Sequence, residues 1–280
     1  MERPSLYVVA TPIGNLADIT LRALEILKRV AAVAAEDTRV TARLLGHYGI
    51  VTPLLAVHEH NERSAAQNIV QMLERGNSVA LVSDAGTPAL ADPGAIVVAT
   101  VRAAGFPVVP LPGANAAVCA LSAAGSSAPH FLFYGFLPQQ AAARRRALDA
   151  LKEVPFQLIF YEAPHRVVAS VAAMAAAFGT QRTVTLAREL TKLFESIHSC
   201  HLGAAAAWLA ADPNRTRGEF VLLVDGAPPA QGVADQELCR VLEILLPELP
   251  LKQAVGLATQ LTGGRKNAVY ALALTLKQQP

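Results

Sequence analysis

Short apolar runs alternate with helix-length segments along most of this chain, and that alternation restricts the possible folds more than any other feature. The apolar runs of the first half have the length of buried strands and lie at residues 6–10, 30–35, 54–57, 79–82 and 108–109. Strand–helix–strand units joined by short loops form parallel sheets with right-handed crossovers. We therefore predict an α/β fold, and a second α/β set begins at Phe131.

The loop at residues 83–94 reads Ser-Asp-Ala-Gly-Thr-Pro-Ala-Leu-Ala-Asp-Pro-Gly and joins the run at 79–82 to a predicted helix at 95–104. Its glycines permit backbone shapes that other residues avoid, and its prolines stiffen the turn. Open α/β sheets hold their ligands beside such strand-to-helix loops. The composition of this loop therefore predicts a ligand-binding surface.

Polar residues follow the ends of several predicted strands, at Asn15, Glu36–Asp37, His58–Asn61 and Asp84. The carboxyl ends of parallel strands meet at one edge of a sheet, so we expect a single site there. Local helix signals are also present. Asp18 or Thr20 is expected to cap the first helix, and Ser64–Gln67 has the form of a capping box that begins a later one.

The totals narrow the class of protein. With 280 residues, 52% of them hydrophobic, the chain has room for two domains and a sizeable core. No apolar run approaches the roughly 20 residues of a transmembrane helix, and the N-terminus lacks a signal-peptide pattern. The three cysteines lie far apart, without disulfide or zinc spacing, so we expect a reduced, cytoplasmic protein. A net charge of +2 is weak support for a nucleic-acid partner.

Two stretches rich in small residues and proline, at 125–129 and 227–230, look like linkers. They predict two α/β domains at 1–125 and 130–226 and a helical extension at 234–280. The extension has three predicted helices, at 234–246, 251–261 and 265–276. A short Gly-containing turn between the last two fits a helix-turn-helix, and a helical cap that only packs fits equally well.

Common catalytic signatures are missing from the sequence. No Gly-x-Gly-x-x-Gly follows the first strand, and there is no Walker loop, which disfavours dehydrogenases and nucleotide triphosphatases. The chain also lacks a Gly-x-Ser-x-Gly elbow, a His-Glu-x-x-His motif and a cysteine cluster. Hydrolase and metal-dependent functions are therefore unsupported, and we expect no metal site.

Several long motifs occur in a fixed order. They are Thr-Pro-Ile-Gly-Asn-Leu at 11–16, Glu-Asp-Thr-Arg at 36–39, the 83–94 loop, Leu-Pro-Gly at 111–113, Tyr-Glu-Ala-Pro-His-Arg at 161–166, Arg-Glu-Leu-Thr-Lys at 188–192 and Gly-Glu at 218–219. Over nearly its whole length the chain closely resembles the ribosomal RNA small-subunit methyltransferase I family. The resemblance implies 2′-O-methylation of a cytidine (C1402) of 16S rRNA. It also implies a homodimer of the tetrapyrrole-methylase-like class, with two α/β domains and a helix-turn-helix-like extension.

The resemblance further implies S-adenosylmethionine as methyl donor, bound between the two α/β domains. The donor would lie against Pro12, Asp84, Ala85, Gly86, Thr87, Pro88, Ala116, Ala117, Tyr161, Glu162, Leu190, Gly218 and Glu219. Helix starts after Gly94 and Gly113 are expected to offer free N–H groups to the donor's carboxylate. Small side chains at Ala116 and Ala117 would let adenine approach the backbone.

A ribose hydroxyl is a weak acid, so a base near it would assist its reaction. Candidates at predicted strand ends are Glu36, Asp37, His58 and Lys192. Each has an alternative. The first two could cap the helix that starts at Thr38, His58 could be an exposed loop residue, and Lys192 could pair with a glutamate, at 189 or 195.

RNA binding needs cationic contacts. Arg39 and Arg166 follow predicted site loops and are expected to contact phosphate, and Arg144 and Arg145 are further candidates unless they form a solvated helix face. Two other functions remain open at this point. One is methylation of a small molecule such as a tetrapyrrole, and the other is a non-catalytic, RNA-binding assembly factor.

Overall fold

The computed structural model describes residues 3–228, 233–263 and 266–277, and for residues 233–237 it describes the backbone alone. The chain divides into two compact units, residues 1–226 and 227–280. The first unit contains two five-stranded sheets, and the second contains helices. The split of the first unit into domains at 125 and 130 stays a prediction.

The first sheet is wholly parallel and has the strand order β3-β2-β4-β1-β5. Its strands are β1 Leu6–Val9, β2 Ala32–Ala35, β3 Leu54–Ala56, β4 Val79–Val82 and β5 Val108–Leu111. The helices that connect or follow them are α1 Leu21–Arg29, α2 Thr38–His47, α3 Glu62–Glu74, α4 Ala95–Ala103 and α5 Ala116–Ala123. The predicted strands and helices of this half are confirmed to within a few residues at their ends.

The second sheet is mixed, which corrects the expectation of parallel sheets throughout. Its order is β6-β7-β10-β8-β9, and only β6 and β7 pair in parallel. The strands are β6 Phe131–Phe136, β7 Gln157–Glu162, β8 Thr183–Arg188, β9 Ser196–His201 and β10 Phe220–Val224. The helices are α6 Ala141–Leu151, α7 Val167–Phe178 and α8 Leu202–Ala210. No helix lies between β8 and β9, so they form a hairpin, and β10 inserts antiparallel at the centre.

The local capping signals predicted the start of α1 correctly but not the start of α3. Thr20, and not Asp18, caps α1 by accepting from the Ala23 N–H. The capping box at Ser64–Gln67 is wrong, because α3 begins three residues earlier, with Asn61 and not Ser64 in the N-cap position. The Ser64 hydroxyl donates to the Asn61 carbonyl instead.

Helix α5 joins the two halves of the first unit. Its buried residues Ala117 and Ala120 belong to a cluster with residues of β7, β8 and β10, including Ile159, Ala187 and Val221. The opposite face of the second sheet packs on α6, α7 and α8 in a separate cluster. The second sheet is therefore covered on one side by its own helices and on the other by a helix of the first half.

The second unit consists of α9 Val233–Leu245, α10 Leu251–Thr262 and α11 Lys266–Lys277. Residues of all three helices, among them Leu242, Val255 and Val269, form its core. Gly263 ends α10 in the left-handed conformation that commonly closes a helix. Arg265, which began the third predicted helix, lies outside the described residues. Within the described part of the chain, no helix combines the length and apolar character needed to cross a bilayer.

Candidate active site

The carboxyl ends of strands from both sheets surround one cavity of about 400 Å³. Because β7 and β8 both run antiparallel to β10, their carboxyl ends lie at the same edge as its amino end. The first sheet contributes Ile13, Glu36, Asp84, Ala85, Gly86, Thr87, Leu90, Asp92, Asn115 and Ala116. The second sheet contributes Phe136, Tyr161, Glu162, Ala163, Pro164, Ala187, Leu190, Lys192, Glu219, Phe220 and Val221.

The 83–94 loop is held in place by the neighbouring strand ends. Thr11 and Gly86 exchange two backbone hydrogen bonds of 2.9 Å, which tie the loop to the end of β1. The Thr87 hydroxyl donates to the Ala114 carbonyl at 3.0 Å, and Asp84 Oδ1 accepts from the Asp37 N–H at 2.9 Å. The loop therefore has fixed contacts with the segments after β1, β2 and β5.

Glu62 on α3 fixes the far end of the same loop. The residue is 8% exposed, and its Oε1 accepts from the N–H groups of Gly94, Ile96 and Val97. The expectation that α4 offers free N–H groups to a ligand is therefore wrong. At the start of α5, Asn115 Oδ1 accepts from the Val118 N–H and Tyr161 Oη from that of Ala117, so these donors are also occupied.

Three carboxylates line the first-sheet side of the cavity: Glu36, Asp84 and Asp92. Burial, followed by repulsion from the other two acids, raises the pKa of Glu36. Burial and the charge of Asp84 likewise raise the pKa of Asp92. A cation placed in this part of the cavity would relieve the repulsion, since an opposite charge stabilises the ionised form of an acid.

The loop after β7 is held by its own contacts. Glu162 is 2% exposed and accepts from the Ala163 N–H and the Ser170 hydroxyl. Arg166, whose side chain is 14% exposed, pairs with Glu162 at 3.2 Å and donates to the Leu137 carbonyl. The guanidinium of Arg166 thus links this loop to Leu137, and its contact with RNA phosphate stays a prediction.

Lys192 lines the cavity on the second-sheet side and forms two ion pairs. Its Nζ lies 2.9 Å from Glu189 Oε1 and 2.8 Å from Glu219 Oε2. Burial opposes its charge, but the two carboxylates outweigh burial and raise the pKa of Lys192. The alternative of pairing with Glu189 is confirmed, whereas Glu195 accepts from the Thr191 N–H instead. The ammonium form is thus the stable form of Lys192 in this conformation.

Nine of the predicted donor-site residues line the cavity, and four do not. The nine are Asp84, Ala85, Gly86, Thr87, Ala116, Tyr161, Glu162, Leu190 and Glu219. Pro12, Pro88, Ala117 and Gly218 lie beside lining residues, with Pro88 buried and Ala117 packed against the second sheet. Phe136 and Asp92 are among the lining residues that the predicted donor site did not include, although Asp92 lies within the loop that the sequence singled out.

Of the four candidate bases, Glu36 and Lys192 line the cavity, whereas Asp37 and His58 do not. Asp37 caps α2 by accepting from the Arg39 N–H, so the capping alternative is confirmed for it. His58 is exposed and follows β3, the edge strand.

The arginines proposed for RNA are mostly at the surface. Arg39 is 85% exposed and pairs with Asp37 at 2.7 Å. On α6, Arg145 is 83% exposed and lies 3.8 Å from Asp149, and Arg144 donates to the Gln139 carbonyl. Arg39 and Arg145 are therefore the more accessible of the four predicted contacts.

The fold and cavity define the class. Residues 5–206 match the family described as tetrapyrrole (corrin/porphyrin) methylases. The solved methyltransferase CobJ superposes with a TM-score of 0.60 and 20% identity, covering 80% of this chain and 95% of that one. The cobalamin biosynthetic enzyme cobalt precorrin-4 methyltransferase gives a TM-score of 0.59 and 16% identity, over 79% of this chain and 94% of that one. The chain is a methyltransferase of this fold, as predicted.

Within the class, full-length relatives identify the family. The Pseudomonas aeruginosa ribosomal RNA small subunit methyltransferase I is 52% identical over 276 residues, 98% of each chain. Its namesake in Escherichia coli O157:H7 is 50% identical over 269 residues, 96% of this chain and 94% of that one. Residues 232–277 match the family described as the RsmI C-terminal HTH domain. This chain belongs to the ribosomal RNA small subunit methyltransferase I family, and the resemblance in its sequence is confirmed.

Proposed function

We propose that this chain transfers a methyl group from S-adenosylmethionine to the ribose 2′-oxygen of a cytidine, C1402, in 16S rRNA. The observation that carries the proposal is 52% identity over 98% of both chains to a ribosomal RNA small subunit methyltransferase I. The lined cavity between the two sheets supports it with a site of suitable size and charge. A homodimer in the cytoplasm is part of the same proposal.

The chemistry of the cavity fits the donor. Glu36, Asp84 and Asp92 offer negative charge to a sulfonium or ammonium group, and Ala116 and Leu190 offer apolar surface to the rest of the molecule. A volume of about 400 Å³ lies within the usual range of small-molecule sites. When bound, S-adenosylmethionine supplies an activated methyl group. The task left to the protein is to position the acceptor hydroxyl and accommodate its proton.

Among the four candidates for the base, Glu36 fits best. It lines the cavity, and its raised pKa makes it a stronger base than an ordinary glutamate. Lys192 is held as an ammonium by Glu189 and Glu219, which suits a hydrogen bond to the acceptor nucleotide better than proton removal. Arg39, Arg144 and Arg145 are proposed to contact phosphates outside the cavity.

The direct test is methyl transfer with purified protein and labelled donor. Assembled small subunits, free 16S rRNA and a porphyrinoid would be offered separately, and the labelled nucleotide would be identified after nuclease digestion. We expect label only on RNA, as 2′-O-methylcytidine at C1402, and loss of that mark in cells without the gene. Transfer to the porphyrinoid alone would favour a tetrapyrrole methylase. Failure to bind S-adenosylmethionine in calorimetry would favour a non-catalytic RNA-binding protein.

The role of Glu36 gives a sharper prediction. Glu36→Gln should lower kcat by about 100-fold or more, because general bases typically contribute at least that much. Wild-type kcat should fall as the pH drops through the raised pKa of Glu36, and the variant should lose that limb of the profile. His58→Ala is the matched control and should leave kcat unchanged. A Glu36→Gln enzyme with the wild-type profile would exclude this base.

A further inference from the structure

Strand β6 carries a bulge just before it reaches the cavity. Its pairing with β7 is regular up to Phe133, which lies opposite Ile159, and then shifts so that Gly135 lies opposite Phe160. Gly135 has φ +82°, a left-handed conformation that glycine adopts without strain. A bulge of this kind inserts one residue into a strand and redirects the side chains that follow.

The effect of the bulge is visible in the aromatic contacts of the β6 side chains. Side chains three apart in a regular strand point to opposite faces. Here, however, Phe133 and Phe136 both approach Tyr161 edge-on, with ring centroids 4.9 and 5.6 Å from it. Tyr134, between them, contacts Phe160 in the core on the other face. The bulge therefore turns Phe136 from the face packed on helices to the face that lines the cavity.

Phe136 remains half exposed after this rearrangement. It is 52% exposed, whereas the next residue, Leu137, is 1% exposed. One edge of its ring is supported by Tyr161, whose hydroxyl accepts from the Ala117 N–H and is thereby fixed. A rigidly supported aromatic ring at the rim of a cavity is a surface on which a flat ligand can stack.

The cavity volume indicates which flat ligand this is. About 400 Å³ accommodates one cofactor-sized molecule. A nucleotide of a folded RNA must then approach from outside and place its ribose at the mouth. Proteins that read unpaired nucleotides commonly stack the base on an aromatic side chain. Resting on the function proposed above, we propose that Phe136 is the platform on which the nucleobase of the acceptor nucleotide stacks.

The test compares ring-keeping and ring-losing variants of the full-length protein. Phe136→Leu keeps apolar bulk and removes the ring, and Phe136→Trp keeps a ring. Phe131→Leu is the matched control, because Phe131 is 49% exposed on the same strand and lies outside the cavity. For each protein, kcat and KM on small ribosomal subunits, the Kd for S-adenosylmethionine and the Tm would be measured.

We expect Phe136→Leu to raise KM for the RNA substrate by about 5- to 150-fold, the range for loss of one base stack. The Kd for S-adenosylmethionine should be unchanged, Phe136→Trp should keep most of the RNA affinity that Phe136→Leu loses, and Phe131→Leu should behave like wild type. A weakened donor Kd would assign the ring to the donor's adenine and overturn the proposal, as would equal effects of Phe136→Leu and Phe131→Leu. If Phe136→Leu did not fold, as shown by the loss of a cooperative thermal transition, the folded Phe136→Trp variant would decide. An impaired KM in that variant would also overturn the proposal. Wild-type protein that methylates no RNA would refute the proposed function itself.

Discussion

Three carboxylates near the first sheet differ in what surrounds them. Glu62 is buried and accepts from three backbone N–H groups, so its role is structural. Asp37 caps α2 and pairs with exposed Arg39. Glu36 is the one that lines the cavity among other acids. Environment therefore separates the roles of these side chains, and residue type does not.

The ion pair between Asp37 and Arg39 predicts how the carboxyl group of Asp37 titrates. Hydrogen bonds from Arg39 lower the pKa of Asp37 to about 2, from an ordinary value of 3.8. A lowered carboxyl pKa stabilises the fold above pH 3.8, and the contribution is lost as the pH falls through about 2. NMR titration of Asp37 should show this pKa, and Arg39→Ala should raise it, since the arginine is its main cause. High salt should weaken the Coulomb part. A pKa unmoved by Arg39→Ala would contradict the assignment.

The close packing around Gly14 predicts the effect of adding one methyl group at this position. A Cβ at this position would lie 2.5 Å from Lys192 Cγ and 2.8 Å from its Cε. Gly14→Ala should therefore displace Lys192 from its glutamates and lower both Tm and kcat/KM. Gly46→Ala is the control, because nothing lies within 4 Å of the added methyl. In helix α2 that change should be neutral or stabilising by up to about 1 kcal/mol. Equal behaviour of the two variants would show that the Gly14–Lys192 contact is unimportant.

At the scale of elements, α3 and α4 cooperate in shaping the site. Helix α4 begins at the end of the 83–94 loop, and its first N–H groups are satisfied by a side chain from α3 and not from the loop itself. The cavity-lining Asp92 lies between this anchor and the β1 contact at Gly86, and Asp84, two residues before that contact, is held by the Asp37 N–H. Fixing both ends of the loop is what positions its carboxylates.

Removing the α3 anchor should therefore affect stability and ligand binding together. Glu62→Ala leaves buried N–H groups at Gly94 and Val97 without their acceptor, at a cost of about 1–3 kcal/mol in the free energy of unfolding. The loop should loosen, and S-adenosylmethionine should bind more weakly. Ser64→Ala, in the same helical turn, removes only an exposed hydroxyl and should change neither quantity. Denaturant unfolding and calorimetry measure both. An unchanged donor Kd in Glu62→Ala would separate the anchor from the site.

At the scale of the whole molecule, the two sheets of the first unit depend on each other. Ala117 and Ala120 of α5 are buried against the second sheet, at 5% and 0% exposure. The cavity itself has walls from both halves. The helical unit, by contrast, has a core of its own made from α9, α10 and α11.

Truncation tests this organisation. A fragment of residues 1–226 should fold with a cooperative thermal transition and bind S-adenosylmethionine, because it keeps both sheets and the cavity. A fragment of residues 1–125 should fail to fold cooperatively, since the apolar face of α5 would have no partner. Circular dichroism and calorimetry distinguish these outcomes. A stable 1–125 fragment would instead support an independent N-terminal domain.

Local sequence determined the parts of this protein that depend on neighbouring residues. Apolar runs set the strands, and helical periodicity set helices such as α4, predicted at 95–104 and observed at Ala95–Ala103. The composition of the 83–94 loop indicated the ligand-binding edge, and the ordered motifs indicated the family. Each run, loop and single motif spans only a few residues, so the sequence displays it directly.

Tertiary structure decided which distant groups meet. The central antiparallel β10, the capture of the α4 N–H groups by Glu62 and the pairing of Arg166 with Glu162 follow from the packed chain, and local patterns predicted otherwise or were silent. Phe136 reaches the cavity only because Gly135 shifts the register of β6 against β7. The physical reason is that a donor, a charge or a ring takes the partner that the whole fold brings within reach, and sequence separation does not reveal that distance.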